Sequence, residues 1–293
     1  MSAAQAKRSA EGVAAMRFAG SFERDPAVRN PDCMAGAFIS ARHALPARIA
    51  PLRRLLLPAY RRAFPGSYEY HIARTRHLDD LLLAEVGAGA AQVVILGAGY
   101  DTRAYRYADE LAGTIVFEVD HPDTSARKRA ALERQGPPPG NVTFIALDFD
   151  TADLGAELAA AGYEEGRRTF FVWEGVCMFL EPAAVDATLA FVADRSGPSS
   201  SIAFDYVLRS VVAGDHTSYG AAQTARYLAR GEEPWRFGID FDEVEPYLAA
   251  RGLALESNLG PDELQRRYLE RTDGRLHGRV VGFHAIAHAR RSA

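Results

Sequence analysis

The sequence predicts an open α/β fold, built on a mostly parallel sheet with helices on both faces. The first observation is the segment QVVILGAGYDTR, in which the apolar run Val93 to Leu96 breaks at a turn containing Gly97 and Gly99. The second is that apolar strands and helical segments alternate from there to residue 206. A buried parallel strand that enters a tight glycine turn and then a helix is typical of doubly wound α/β folds.

The strand predictions follow from short apolar runs that end at turn residues. In chain order they are 93–96, 114–120, 141–147, 169–173, 200–206, 253–257 and 279–291. Asp101 and Thr102 stand where the helix after the glycine turn needs an N-cap.

Two regions lie outside this alternation, and we expect all of residues 1–293 to form one domain. Residues 9–24 are predicted to form a helix, and prolines at 46, 51 and 58 cut the later stretch into short helices, so residues 1–67 are predicted to form an N-terminal helical cap. The alternation is lost over residues 207–240, where four aromatic residues occur. This insertion after the fifth strand is placed to cover the strand ends.

Composition bounds the class of protein. With 48% hydrophobic and 25% charged residues and a net charge of −4, the chain suits a globular protein and gives no argument for nucleic acid or an anionic membrane. It has no long apolar run and no apolar signal-peptide core, which predicts a cytoplasmic protein. Residues 1–76 carry 13 Lys and Arg against 5 Asp and Glu, either as solvated helix faces or as a basic lid over an acidic ligand.

The chain has two cysteines, Cys33 and Cys177. They are far apart and show no metal-binding spacing, so we expect two buried free thiols and no metal.

Residues 68–86 form the best predicted helix of the N-terminal third. Its apolar stripe contains Tyr70, Leu78 and Leu82, and Arg74 falls in the same row. An arginine that faces the core needs an anionic partner, because a buried unpaired charge is costly. That partner is either a ligand or an internal carboxylate.

Four predicted strand ends carry a marked residue, and ligands of open parallel sheets bind beyond those ends. The glycine turn admits a ligand against the backbone. Asp120, about 20 residues later, can accept both hydroxyls of a ribose. Asp148 and the backbone N–H of Phe149 can meet an adenine, and Glu174 can meet a ligand ammonium.

Two adenosine ligands compete for such a site, a dinucleotide and S-adenosylmethionine. A dinucleotide favours a third glycine three residues after the second, but Thr102 stands there and Asp101 places negative charge near a pyrophosphate. S-adenosylmethionine has no phosphate; it carries a sulfonium, an ammonium and one carboxylate. Acids together with one arginine suit that ligand.

The segments QVVILGAGYDTRAYR, TIVFEVDHPDTSARKRA, FIALDFD and FVWEGVCMFLEP resemble the leucine carboxyl methyltransferase family, and its bacterial S-adenosylmethionine-dependent O-methyltransferase branch more closely. The resemblance implies a class I methyltransferase (Rossmann-like) fold: a seven-stranded sheet with an antiparallel last strand and an N-terminal helical cap. The residues that it assigns to the cofactor are Arg74, Gly97, Gly99, Asp120, Asp148, Phe149 and Glu174, with Arg17 the nearest match to a cationic residue of the first helix.

The acceptor stays open at the level of sequence. A carboxylate needs no general base, whereas a hydroxyl does, and the candidate bases are Tyr206 and His216. The composition, with Lys7 and Lys128 as the only lysines, suits a GC-rich bacterial genome. We expect O-methylation of a small molecule, such as a specialised metabolite, held under residues 207–240.

Three alternatives remain beside that expectation. The family's protein-directed members methylate a C-terminal leucine carboxylate. An NAD-dependent oxidoreductase shares the logic of the fold, and a non-catalytic adenosyl-binding protein needs no catalytic base.

Overall fold

The fold was analysed in a computed structural model that describes residues 3–136, 138–149, 152–229 and 234–292, with side chains from residue 10 onwards. Asp150, which the sequence suggests as a helix cap, lies outside the described residues. Residues 230–233 of the insertion also lie outside them.

The described residues form one seven-stranded sheet. Strands β1 to β7 are Gln92–Leu96, Ile115–Asp120, Val142–Ala146, Thr169–Trp173, Ser201–Val207, Leu253–Leu259 and His284–Arg291. Their spatial order is β3-β2-β1-β4-β5-β7-β6. The pairs among β1 to β5 are parallel, and β7 is antiparallel to both β5 and β6. This confirms the predicted fold class, including the antiparallel last strand.

Both faces of the sheet are covered, which explains the continuous apolar runs of the central strands. Every residue of β1 and β4 is buried. Val93 and Ile95 face a core shared with the N-terminal helices. Val94 and Leu96 face a second core shared with helices that follow β3, β4 and β5.

The helices agree with the predicted alternation to within a few residues at most ends. Helices α1 to α12 are Ala3–Gly20, Ala41–Arg48, Ala50–Ala63, Ser67–Gly87, Arg103–Arg106, Pro122–Glu133, Leu154–Ala160, Pro182–Arg195, Arg209–Val212, Ala221–Leu228, Val244–Ala249 and Pro261–Tyr268. No helix in the described part of the chain combines the length and the apolar character that a membrane crossing requires.

Helix α4 is the element that carries the N-terminal region onto the sheet. Tyr70, Arg74 and Leu78 are all buried on it, so the predicted stripe is correct. Helix α4 packs against α1, α12 and β4, which places Arg74 near the carboxyl end of β4.

Two expectations need correction. Cys177 is buried, but Cys33 is exposed, so the prediction of two buried thiols is wrong for Cys33; this residue lies in the loop just before a 3-10 helix, Met34–Ala37. The last strand begins at His284 and not at residue 279. Val280 and Val281 are buried without belonging to a strand, since their apolar side chains fill the core from the segment that leads into β7.

Candidate functional site

The glycine turn follows β1 and touches the acid that ends β2. Gly97 and Gly99 have φ angles of +65° and +43°, the left-handed region that glycine adopts without cost. A Cβ at position 97 would collide with the side chain of Val176. The carboxylate of Asp120 accepts hydrogen bonds from the backbone N–H groups of Gly99 and His121.

Asp101 and Thr102 start the short helix α5, as the sequence predicts. Thr102 is the N-cap residue, and Asp101 Oδ1 accepts the backbone N–H of Arg103 at 2.7 Å. Arg103 is therefore the first residue of the helix, and its side chain lies beside the glycine turn, where it donates to Asp101.

Arg74 lies between two buried carboxylates at the ends of β4 and β5. Its Nη1 is 2.6 Å from Asp205 Oδ2, and its Nε is 3.0 Å from Glu174 Oε1. Asp205 also accepts hydrogen bonds from the Tyr70 hydroxyl, at 2.8 Å, and from the backbone N–H of Gly175. The anionic partner that the sequence requires for Arg74 is thus at least partly internal.

Arg103 is fully buried and contacts three carboxylates. Its Nε donates to Asp79 Oδ1 at 2.7 Å, and its Nη1 donates to Glu174 Oε2 at 2.6 Å and to Asp101. Arg106 donates to the other oxygen of Asp79 at 2.7 Å. Arg103 thereby ties the glycine turn to helix α4 and to the end of β4.

Arg17 reaches the same region from helix α1. Its Nη2 donates to the backbone oxygen of Tyr100 at 2.6 Å, and its Nε lies 3.3 Å from Asp32 Oδ2. Asp32 in turn accepts from the hydroxyl of Thr102 at 2.8 Å. Helix α1 is thereby joined directly to the loop after β1.

We call these groups together the arginine–acid cluster. It consists of four arginines and five acids: Arg17, Arg74, Arg103, Arg106, Asp32, Asp79, Asp101, Glu174 and Asp205. With every group ionised its net charge is −1, so the cluster is complementary to a ligand that carries one net positive charge.

The pKa values of two acids of the site are shifted in opposite directions. Burial alone would raise the pKa of Glu174, but Arg74, Arg103 and Arg17 outweigh burial and hold that pKa well below its usual range. Burial raises the pKa of Asp120, and the two backbone N–H groups offset only part of this increase. Glu174 is therefore a firm anion at neutral pH.

Two arginines of the cluster keep unused donors. In the described part of the chain, the buried Nε atoms of Arg74 and Arg17 have no acceptor with hydrogen-bond geometry, although Glu174 and Asp32 lie close to them. A buried N–H without an acceptor is costly. A ligand carboxylate is a group that would satisfy such donors.

The remaining predicted cofactor residues follow β3. Asp148 and Phe149 are separated from this strand only by Leu147. The backbone N–H of Leu147 donates to the backbone carbonyl oxygen of Asp120. The structure thus brings all four strand ends named by the sequence to one edge of the sheet.

The two candidate bases lie elsewhere. Tyr206 packs on the opposite face of β5 from Asp205, and its hydroxyl donates to Asn258 Oδ1 at 3.0 Å. Burial raises the pKa of the Tyr206 hydroxyl above its ordinary value. His216 is exposed in the insertion. In the described residues neither side chain contacts the arginine–acid cluster.

Sequence reasoning missed five members of the site: Asp32, Asp79, Arg103, Arg106 and Asp205. Asp205 is the residue before Tyr206 in SSIAFDY, and the alternation of the strand already places it on the opposite face. Arg103 follows Asp101 and Thr102 in the GAGYDTR segment, where its charge gave no sign that the side chain is buried. Asp79 lies five residues after Arg74 on α4 and gave no such sign either.

This fold and site define the class of protein. A seven-stranded sheet in this order, with its glycine turn after β1 and acids at the ends of β2 and β4, is the fold of class I S-adenosylmethionine-dependent methyltransferases. A solved structure from Thermobifida fusca named as a methyltransferase shares the fold, with a TM-score of 0.53 and 17% identity, over 83% of this chain and 89% of that one.

Sequence comparison gives the family. Residues 10–193 match the leucine carboxyl methyltransferase family, and the chain belongs to this family. A protein of Mycolicibacterium smegmatis named as an S-adenosyl-L-methionine-dependent methyltransferase is 33% identical over 69% of this chain and 68% of its own length. The protein YktD of Bacillus subtilis, with the same description, is 30% identical over 66% of this chain and 64% of its own length. The chain thus spans slightly less than two thirds of the length of some of its relatives, YktD among them.

Proposed function

We propose that this chain binds S-adenosylmethionine at the carboxyl edge of β1 to β4 and transfers its methyl group to a carboxylate or hydroxyl oxygen of a small molecule. The observation that carries the proposal is the buried pair of Arg74 and Glu174. It offers an N–H without an aligned acceptor beside a firm carboxylate, and an amino-acid end carries the complementary pair of charges.

Each predicted residue then has one task. Arg74, with Arg17 beside it, binds the cofactor carboxylate, and Glu174 accepts from the ammonium. Asp120 accepts from the ribose hydroxyls once they compete with the N–H groups that it now holds. Gly97 forms the turn, and Gly99 leaves room for the ligand against the backbone, while Asp148 and Phe149 border the adenine.

When bound, S-adenosylmethionine supplies an activated methyl group on a sulfonium. The protein need only align the acceptor oxygen in line with that methyl group and exclude water. The insertion after β5 supports a small acceptor, since Trp235 from it packs on Phe283 and His284 at the start of β7.

Calorimetry with S-adenosylmethionine, S-adenosylhomocysteine and NAD tests the cofactor. Binding of the two adenosyl ligands is expected, whereas binding of NAD alone would favour an oxidoreductase.

Incubation with methyl-labelled cofactor and a bacterial metabolite extract then tests the acceptor. A base-labile label identifies an ester and a base-stable one an ether. Label found only in protein or peptide would favour the protein-directed activity. Binding without any labelled product would favour a non-catalytic adenosyl-binding protein.

A further inference from the structure

We propose that the space beside His284 is the acceptor site, that it takes a neutral aromatic compound with a hydroxyl group, and that His284 receives the hydroxyl proton. This inference rests on the proposed function and narrows its acceptor from two chemical classes to one.

His284 lies at the reacting edge of the sheet. It is the first residue of β7 and pairs with Val207, the last residue of β5. Because β7 runs antiparallel to β5, its beginning lies at the edge where Glu174 follows β4. A short series of contacts leads from His284 to the proposed cofactor: its ring stacks on Tyr70, and the Tyr70 hydroxyl donates to Asp205, which pairs with Arg74.

The ring of His284 is held by aromatic neighbours, and no described residue forms a hydrogen bond with it. Its centroid is 4.5 Å from that of Tyr70 at an interplanar angle of 30°, and 5.8 Å from that of Trp235 at 89°. Its Nδ1 is buried and, among the residues that the structure describes, has no hydrogen-bond partner. By contrast, the buried His77 bonds Tyr268 through its Nδ1 at 2.9 Å.

This ring is neutral at neutral pH and therefore has one nitrogen that can accept a hydrogen bond. Burial lowers the pKa of His284 to about 4, with Arg74 acting in the same direction and Asp205 opposing them. At neutral pH the ring therefore carries no proton on one nitrogen. Tyr70 cannot serve instead, because burial and Asp205 raise its pKa well above the usual range.

An open pocket of about 600 Å³ borders His284. Leu208, Phe241 and Leu259 provide apolar walls, and the volume falls within the range of small-molecule sites. Arg266 and Arg267 at its rim are both paired with Glu263, so these two cations already have a carboxylate partner.

The charge balance favours a neutral acceptor over a carboxylate. With S-adenosylmethionine bound, the charges of the cofactor and of the arginine–acid cluster cancel, so a carboxylate acceptor would add one unbalanced negative charge, whereas a hydroxyl group adds none. A carboxylate also needs no base, which would leave the unpaired ring nitrogen of His284 without a role. A hydroxyl group needs a base, and a ring nitrogen of His284 can accept its hydrogen bond where this side chain borders the pocket.

The reaction balances in atoms and charge. The acceptor oxygen forms a bond to the methyl carbon while the carbon–sulfur bond breaks, and that electron pair stays on sulfur. The hydroxyl proton passes to a ring nitrogen of His284. One positive charge leaves the sulfonium and one appears on the imidazolium, where the carboxylate of Asp205 is close enough to stabilise it.

Two matched probes test the class of acceptor: 1-naphthol and 1-naphthoate differ only in hydroxyl and carboxylate. Each probe is titrated into the protein saturated with S-adenosylhomocysteine, and binding is followed by the fluorescence of Trp235, with W235F as the blank. We expect 1-naphthol to bind at least tenfold more tightly than 1-naphthoate. Equal or tighter binding of 1-naphthoate, or no binding of either probe, would overturn the acceptor site.

Rates of transfer from S-adenosylmethionine to 1-naphthol test the base. His284→Ala is expected to lower kcat at least 100-fold and to regain activity when imidazole is added. His288→Gln, four residues further along β7 at a histidine paired with Glu85 and Glu256, is expected to keep the wild-type kcat. An H284A enzyme with wild-type kcat, an unrescued loss, or binding of 1-naphthol without any transfer would remove His284 from the reaction.

Calorimetry with S-adenosylhomocysteine separates the two proposals: if H284A and the wild-type protein bind it equally, a failure here leaves the methyltransferase function intact. If the wild-type protein does not bind it, the proposed function itself fails.

Discussion

Arg103 and Glu174 are joined across the sheet, with Arg103 Nη1 2.6 Å from Glu174 Oε2 although 71 residues separate them. The same guanidinium holds Asp79 on α4 and Asp101 in the glycine turn. A single buried cation therefore fixes three separate segments around the proposed cofactor site. Its role is structural as much as electrostatic, because the three acids would otherwise be buried together without it.

Replacing Arg103 should destabilise the fold strongly. In Arg103→Met the side chain keeps its approximate volume but leaves Asp79, Asp101 and Glu174 with an uncompensated buried charge, which costs about 3–5 kcal/mol. Urea unfolding followed by circular dichroism measures this loss. The matched control is Arg54→Met on the exposed part of α3, for which a change within about 0.5 kcal/mol is expected. Similar effects of the two substitutions would show that the buried contacts of Arg103 are of little importance.

Asp120→Ala should weaken cofactor binding. Loss of hydrogen bonds to a charged acceptor costs about 1.5–3 kcal/mol each, so the Kd for S-adenosylhomocysteine should rise roughly 10- to 100-fold in calorimetry. Asp123→Ala, three residues later on an exposed side chain, is the control and should leave the Kd unchanged. Unchanged affinity in Asp120→Ala would remove the ribose assignment.

Glu174→Gln should reduce the preference for the charged cofactor. S-adenosylmethionine and S-adenosylhomocysteine share the amino-acid end, so the ratio of their Kd values reports only the sulfonium and its methyl group. Removing one buried anion near that group should shift the ratio against S-adenosylmethionine by about 1 kcal/mol, or roughly fivefold. Glu181→Gln, whose side chain is exposed, should leave the ratio as it is. A ratio unaffected by Glu174→Gln would show that this acid does not sense the sulfonium.

Stability should fall between pH 6.5 and pH 4. Burial lowers the pKa of both His284 and His77 to about 4 from the ordinary value of 6.5. Within that window the unfolded chain binds protons that the folded chain does not, so each histidine removes up to about 1.4 kcal/mol per pH unit. Below pH 4 both states are protonated and this slope ends. Urea unfolding of the wild-type protein and of His77→Gln at pH 7, 6 and 5 isolates one contribution; parallel pH dependences of the two proteins would contradict it.

Gly97→Ala should disturb the turn after β1 for two reasons. The left-handed φ of this residue costs an alanine about 1–3 kcal/mol, and the added Cβ collides with Val176. Gly89→Ala has a similar positive φ but open space around it, so it measures the backbone cost alone. Thermal unfolding should rank Gly97→Ala below Gly89→Ala, and Val176→Ala should restore part of the difference. Equal losses in the two glycine variants would show that the contact with Val176 has no effect.

The strands were predictable because each is short, apolar and bounded by turn residues. Thr169–Trp173 agrees at both ends with its prediction, and Arg74 could be recognised as buried from the helical spacing alone. The antiparallel β7 came instead from the family resemblance, and the order of the strands in the sheet was not predicted, since local patterns do not encode which strands are neighbours.

The site was predictable where one residue ends one strand, and not where charges from distant segments meet. Glu174 and Asp120 end β4 and β2 and were found for that reason. Whether Arg74 pairs with a ligand or with Asp205 depends on a contact across 131 residues, which no periodicity reports. His284 lay inside a predicted strand, and its unpaired ring nitrogen exists only because Tyr70 and Trp235 enclose it from other parts of the chain.

The position of β7 between β5 and β6 has a consequence for how the molecule folds. Strand β6 precedes β7 in the chain, yet it reaches the sheet only through β7. Until β7 docks, β5 has an open edge and β6 has no partner, and such long-range pairings form late. Since His284 is the first residue of β7, a chain in which β1 to β5 have already formed could hold the cofactor before it gains the side chain proposed to receive the proton. Binding competence and catalytic competence would then arise at separate moments of folding, a separation that cofactor binding and methyl transfer measured side by side during refolding would reveal.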